Sequence, residues 1–135
     1  MSLDASLILR WRGELSDDEL FDLVTSHGGV PVRGWWDKIR PHSFGWVTAR
    51  TEDGLLIGFV NVVSDGDDHA FLLDTKTRGA FQRQGIATRA VAIAVEHARA
   101  GGHEWLHVDF DTHLRAFYFD ACGFKRTDAG LIKLR

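Results

Sequence analysis

The stretch Phe81-Gln82-Arg83-Gln84-Gly85-Ile86-Ala87-Thr88-Arg89, FQRQGIATR, runs polar, amide-bearing and cationic residues into a glycine, and an alanine-rich apolar run begins at once. Ile86, Ala90, Ala94 and Ala98, with Val91 and Val95 beside them, recur at helical spacing to about Ala100, where Gly101-Gly102 stops the run. Upstream, Ala70–Thr77 reads as a strand and Gly79-Ala80 as a turn. A helix opened at Gly85 presents backbone N–H groups without intrahelical partners and the positive end of its dipole. With no Cβ at position 85, small Ala87, and Arg83 and Arg89 nearby, this is a cradle for a phosphate or pyrophosphate. Glycine there also suits close helix–sheet packing, and the residues alone leave both uses open.

Outward from this stretch, the chain reads as a mixed α/β domain. Leu7–Arg12 alternates as a first strand, and Ser16-Asp17-Asp18-Glu19 carries the capping-box pattern of a helix that His27-Gly28-Gly29 ends. Val30–Ser43, with Pro31, Pro41 and the pair Trp35-Trp36, reads as loop or a short helical turn. Phe44–Arg50 and Leu55–Val63 form a hairpin about Glu52-Asp53-Gly54, and Ser64–Asp68 turns into the strand that precedes FQRQGIATR. After the alanine-rich helix come a strand over Trp105–Phe110, a helix over Leu114–Cys122 stopped by Gly123, and a closing strand at Leu131–Leu134. This order predicts one sheet with helices on both faces. It is too irregular for a doubly wound dinucleotide fold, and neither Gly-x-Gly-x-x-Gly nor a Gly-Lys-Ser/Thr phosphate loop is present.

Composition bounds the function. At 135 residues, with 44% apolar and 26% charged residues, the chain is expected to form a single domain over 1–135. Cys122 is the only cysteine, which excludes an internal disulfide and a cysteine-rich zinc site. Asp4 ahead of a short apolar patch argues against a signal peptide, and no apolar run is long enough to span a membrane; a cytoplasmic protein with no membrane partner is the expectation. Residues 1–74 hold 6 Lys/Arg against 13 Asp/Glu, a balance of −7, whereas residues 75–135 hold 10 against 6, a balance of +4. A nucleic-acid partner is disfavoured, because it calls for a broad basic face and repeated aromatic–basic platforms. A small anion held by the second half fits better.

Gln82-Arg83-Gln84-Gly85-Ile86-Ala87 resembles the Gln/Arg-x-x-Gly-x-Gly/Ala signature of the Gcn5-related N-acetyltransferases, and the later Phe117-Tyr118-Phe119-Asp120-Ala121-Cys122-Gly123-Phe124 is similar to that family's aromatic-Gly-Phe segment. The resemblance covers residues 7–135, most firmly 70–124. It implies a GNAT-like, mostly antiparallel central sheet with helices on both faces, acetyl-CoA as co-substrate, and transfer of its acetyl group to a primary amine on a small molecule or peptide. A non-catalytic acyl-CoA-binding or regulatory domain of the same fold is the alternative. The resemblance places the pyrophosphate on Gln82, Arg83, Gln84, Gly85, Ile86, Ala87 and Thr88. It sets the pantetheine arm against the strand backbone at Asp74, Thr75, Lys76 and Thr77, and a cofactor-facing donor at His113, which could equally cap a helix. A homodimer is expected, because relatives often dimerise and five tryptophans leave aromatic surface to cover.

Acyl transfer to an amine needs a base for the amine and a proton for the departing thiolate. Relatives often use a tyrosine in the last helix for the second task, and Tyr118 is the chain's only tyrosine. It stands five residues before Gly123, where relatives have the tyrosine four before, so either the helix carries a local irregularity or Tyr118 points elsewhere. For the base, relatives use a glutamate on the fourth strand, which this chain lacks. Asp74 lies near that place, and His107 is the second candidate, sharing a strand face with Asp109. His97, His103, His107 and His113 match no metal-ligand spacing, so no metal is expected. The resemblance places Trp35, Trp36 and His42 at the wall of the acceptor site; the adjacent tryptophans could equally serve a dimer interface or close one end of the core.

Overall fold

The computed structural model describes residues 6–135; the Asp4 end of the N-terminal segment lies outside them. A single five-stranded sheet runs in the order β1 (Ile8–Trp11), β2 (Ser43–Arg50), β3 (Leu56–Ser64), β4 (His69–Thr77), β5 (Trp105–His107). The first three pairings are antiparallel and the last, β4 with β5, is parallel. A parallel pair needs a crossover, and the alanine-rich helix supplies it.

Helix α1 (Asp17–His27) forms with the caps its sequence announces. The Glu19 amide donates to Ser16 Oγ at 3.1 Å and the Ser16 amide to Glu19 Oε1 at 3.1 Å, so two orphan donors are satisfied reciprocally. Arg50 of β2 then clamps the helix start, donating to Glu19 Oε1 at 3.1 Å and to the Glu14 carbonyl at 2.7 Å. Leu20 and Leu23 of α1 pack with Trp36, Leu56 and Phe59 on one face of the sheet. The other face takes the crossover helix, which sets Ala90, Val91, Ala94 and Ala98 against Val47, Val60, Val62, Ala70 and Leu72. Helices therefore cover both faces, as the order of elements predicts.

The tryptophan segment takes the short helical turn its sequence allows, as helix α2 (Trp35–Ile39), because Asp17 caps its approach by accepting from Gly34 N at 2.7 Å and Trp36 N at 2.9 Å. Two expectations are corrected. The fifth strand stops at His107 instead of Phe110, since β4 provides no partner beyond Phe71. Leu131–Leu134 is not a strand: it pairs with no strand of the sheet, and Leu131, Ile132 and Leu134 are exposed. The crossover helix α3 (Ile86–Ala100) keeps its expected bounds.

Candidate active site

The site begins where β4 and β5 separate. They are paired at His69–Trp105, Ala70–Leu106 and Phe71–His107 and nowhere beyond. On the other edge of β4, Asn61 faces Leu73 and Phe59 faces Lys76, so Asp74 and Thr75 stand against the single residue Val60. Two residues opposing one make a β-bulge, which bends the bulged strand. Asp74 carries the bend at φ 61°, a left-handed conformation that aspartate tolerates better than most residues. The edge of β4 past Phe71 has no strand partner and faces the gap.

A 3-10 turn, Gly79–Phe81, leads from β4 to the loop Gln82–Gly85 and into α3. Gly85 is the N-cap, at φ 79° and ψ 6°, and no side chain caps the helix. Its own carbonyl receives the first helical bond from Arg89 N at 3.1 Å, so the amides of Ile86, Ala87 and Thr88 precede the ladder. A Cβ at position 85 would meet no atom within 4 Å. Glycine is required by the left-handed turn, not by contact with the protein, and the space above it is free for an anion. Gln82, Arg83 and Gln84 are exposed beside it. Gln82 turns its amide back onto the Thr77 carbonyl at 3.3 Å, which His27 Nδ1 also approaches at 3.1 Å.

Tyr118 reaches the same strand from the opposite direction. Ala116–Ala121 is π-helical, with Cys122 N donating to the Phe117 carbonyl five residues back at 2.9 Å. The wider turn holds one extra residue. It absorbs the one-residue offset seen in the sequence and turns Tyr118, rather than Phe119, into the core. Tyr118 is 6% exposed, stacks on Phe110 at 4.5 Å, and sets its hydroxyl against the Thr75 side chain. Burial raises its pKa above that of a free phenol, with the Thr75 hydrogen bond acting the other way, so it stays protonated at neutral pH.

On the α1 side of β4 lies a cleft of about 260 Å³ whose floor carries Asp74 and Lys76 and whose walls include Leu20, Phe21, Val24, Val30 and Trp35. Burial raises the Asp74 carboxyl above its ordinary value, while Lys76 and the Asn61 amide oppose the shift. Asn61 is fully buried, and neither of its amide atoms completes a hydrogen bond of ordinary geometry. A larger but open depression at Ser6 and Thr51–Asp53 lies at the β2–β3 turn and brings no such groups together.

A family model described as acetyltransferase (GNAT) family matches residues 9–124. The chain belongs to that family. It is accordingly an acyltransferase. A protein of meticillin-resistant Staphylococcus aureus superposes with a TM-score of 0.79 at 19% identity, covering 95% of this chain and 99% of its own. A GNAT-family acetyltransferase of Streptococcus pneumoniae TIGR4 gives 0.77 at 17%, covering 96% and 99%. AAC(6')-Iy in complex with the bisubstrate analogue CoA-S-monomethyl-acetylneamine gives 0.74 at 17%, covering 96% and 97%. At these identities the superpositions speak for the fold. Among curated proteins, no sequence matches the chain.

Within this GNAT frame the remaining site candidates separate. Asp74, Thr75 and Tyr118 come together, and Lys76 joins Asp74 in the cleft. His107 does not line that cleft; it lies exposed on the sheet, with its Nε2 at 2.7 Å from His69 Nδ1 and its ring stacked on Phe71. His113 is exposed in the 3-10 turn Thr112–Leu114 that Asp111 precedes. Trp36 takes the core alternative: it is 1% exposed and packs edge-on to Trp46 and Phe59. Trp35 lines the cleft and His42 does not. The other histidines are engaged elsewhere: His97 stacks on Trp11 at 4.5 Å, and His103 bonds Ser64 Oγ at 2.7 Å. Among the described residues, no three histidine, cysteine, aspartate or glutamate side chains converge as a metal site.

Sequence reading passed over Asn61, Phe21 and Val30–Val32. Asn61 had a signal, as the one amide in the apolar run LIGFVNVV of β3. The others had none, because only folding sets α1 and its following loop above β4.

Proposed function

We propose that the protein transfers the acetyl group of acetyl-CoA directly to a primary amine bound in the Asp74 cleft. The observation that carries this reading is the juxtaposition on β4, where neighbouring Asp74 and Thr75 set a half-buried carboxylate on one side and meet the Tyr118 phenol on the other. Gly85, Ile86, Ala87 and Thr88 offer the backbone amides for the pyrophosphate, Arg83 adds charge, and the open edge of Asp74–Thr77 receives the pantetheine amides. Acetyl-CoA supplies the activated thioester. Asp74 accepts a proton from the incoming ammonium, and its raised pKa makes it a stronger base than a free carboxylate. The amine nitrogen bonds to the acetyl carbon and the C–S bond breaks. Of the two protons the ammonium loses, one leaves through Asp74 to solvent, and the Tyr118 hydroxyl passes the equivalent of the other to the departing sulfur. Direct transfer is favoured over an acyl-cysteine route, because burial pushes the Cys122 thiol to about 11 and leaves little thiolate at neutral pH.

Titration calorimetry with CoA on wild type and Gly85→Val, with folding checked by circular dichroism, tests the cradle. Affinity should fall at least about tenfold, because valine is strained at positive φ and projects into the anion space. Unchanged affinity in a folded variant would refute the placement. A panel of amines followed by thiol release tests the reaction. CoA binding without any turnover would favour the non-catalytic alternative.

A further inference from the structure

We infer that the acceptor is a small apolar amino acid, its amine held at Asp74 and its carboxylate at Lys76; this rests on the acetyl-transfer reading above. The cleft holds two opposite charges on one floor. Lys76 lies close enough to act on the Asp74 carboxyl, yet among the described residues it forms no ion pair at salt-bridge distance. Asp17, the other carboxylate of the cleft, spends both oxygens on the amides of Gly34 and Trp36. Asp74 is therefore the carboxylate left for an ammonium, and Lys76 is the cation left for an anion. A monofunctional amine would bind Asp74 and leave the half-buried Lys76 of the same cleft without a counter-charge.

Geometry sets the class further. Asp74 and Lys76 stand two positions apart, at most roughly 7 Å on a straight strand and less across the bulge at Asp74, and a lysine side chain can shorten the distance between charges. A zwitterion whose amine and anion are separated by one or two carbons bridges such a pair. The rest of the cleft is apolar, with Leu20, Phe21, Val24, Val30 and Trp35 around it, and suits an aliphatic or aromatic side chain. Its volume of about 260 Å³ lies below the range of sites for drug-sized ligands, which disfavours a large polycationic acceptor. Transfer joins the amine nitrogen to the acetyl carbon, releases the thiol, and yields an N-acetyl amino acid that keeps its carboxylate on Lys76.

The experiment measures kcat/KM with acetyl-CoA for L-leucine and L-phenylalanine against leucinamide, isopentylamine and phenethylamine. These three keep the shape but lack the anion. Each amine is compared at a pH where it is equally deprotonated. Wild type should prefer the amino acids by roughly 10-fold or more, as expected for a charge-assisted contact. Lys76→Met should bring that ratio towards one, and Lys76→Arg should retain most of it. Equal use of the amides or amines by wild type, or an unchanged ratio in K76M, would overturn the inference while leaving acetyl transfer standing. No thiol release with any of the five, with acetyl-CoA binding shown by calorimetry, would overturn both.

Discussion

Asp74 and Tyr118 differ in what burial does for them. A carboxyl whose pKa is raised by burial is destabilised as the anion, so ionised Asp74 costs folding stability above its raised value. Asp74→Asn should consequently be no less stable than wild type at pH 7 by thermal melting. Its kcat/KM should nonetheless fall about 10²- to 10⁴-fold, the usual worth of general acid–base catalysis. In wild type the acid limb of kcat/KM should lie above the ordinary aspartate value of 3.8, because Asp74 must be ionised to accept a proton. Tyr118→Phe removes one oxygen, leaves the stack on Phe110 intact, and should lower kcat roughly 10- to 1,000-fold. Steady-state kinetics at a pH where the amine is neutral measures it; a kcat within twofold of wild type would assign the proton to water.

At the scale of elements, α1 is a wall of the proposed acceptor cleft, and its first turn is held by charge. Arg50 lowers the Glu19 pKa through its hydrogen bond, against the opposing effect of burial, and the Ser16 cap adds to the lowering. A depressed carboxylate stabilises the fold above its ordinary value of 4.5, and that stability is lost as the pH falls through the lowered value. Glu19→Gln should flatten the acid side of the stability curve, and Ser16→Ala should cost about 1 kcal/mol in urea melts through loss of the cap. The π-helical turn acts at the same scale: it converts an unfavourable spacing before Gly123 into a phenol on β4. The sequence shows that an irregularity is needed, but not that the chain makes one, because a π-turn is stabilised by what it buries. Here that is Tyr118 among Phe110, Phe117 and Phe124.

For the whole molecule, several large apolar side chains are exposed. Trp105 is 58% exposed, and Phe71, Leu73, Leu131, Ile132 and Leu134 are also open to solvent. Such surface is what the proposed homodimer would cover. Light scattering at micromolar concentration should give twice the 15.1 kDa of one chain; a value equal to one chain would reject the dimer. The described residues contain no helix long and apolar enough to cross a membrane. The sequence by itself determined the elements whose signals are local: the Ser16–Glu19 box, the hairpin of β2 and β3, and α3 opened at Gly85. Periodicity, caps and a positive-φ glycine act within a few residues and are visible without the fold. Tertiary structure alone decided the short fifth strand, the unpaired Leu131–Leu134, the burial of Trp36 and the placing of Asp74, but not His107, in the cleft beside α1. Each of these depends on partners distant in the chain. A strand ends where its neighbour bends away, and a tryptophan is core or wall according to what packs on it. The pKa of the Asp74 carboxyl is raised only because the folded chain shields it from water.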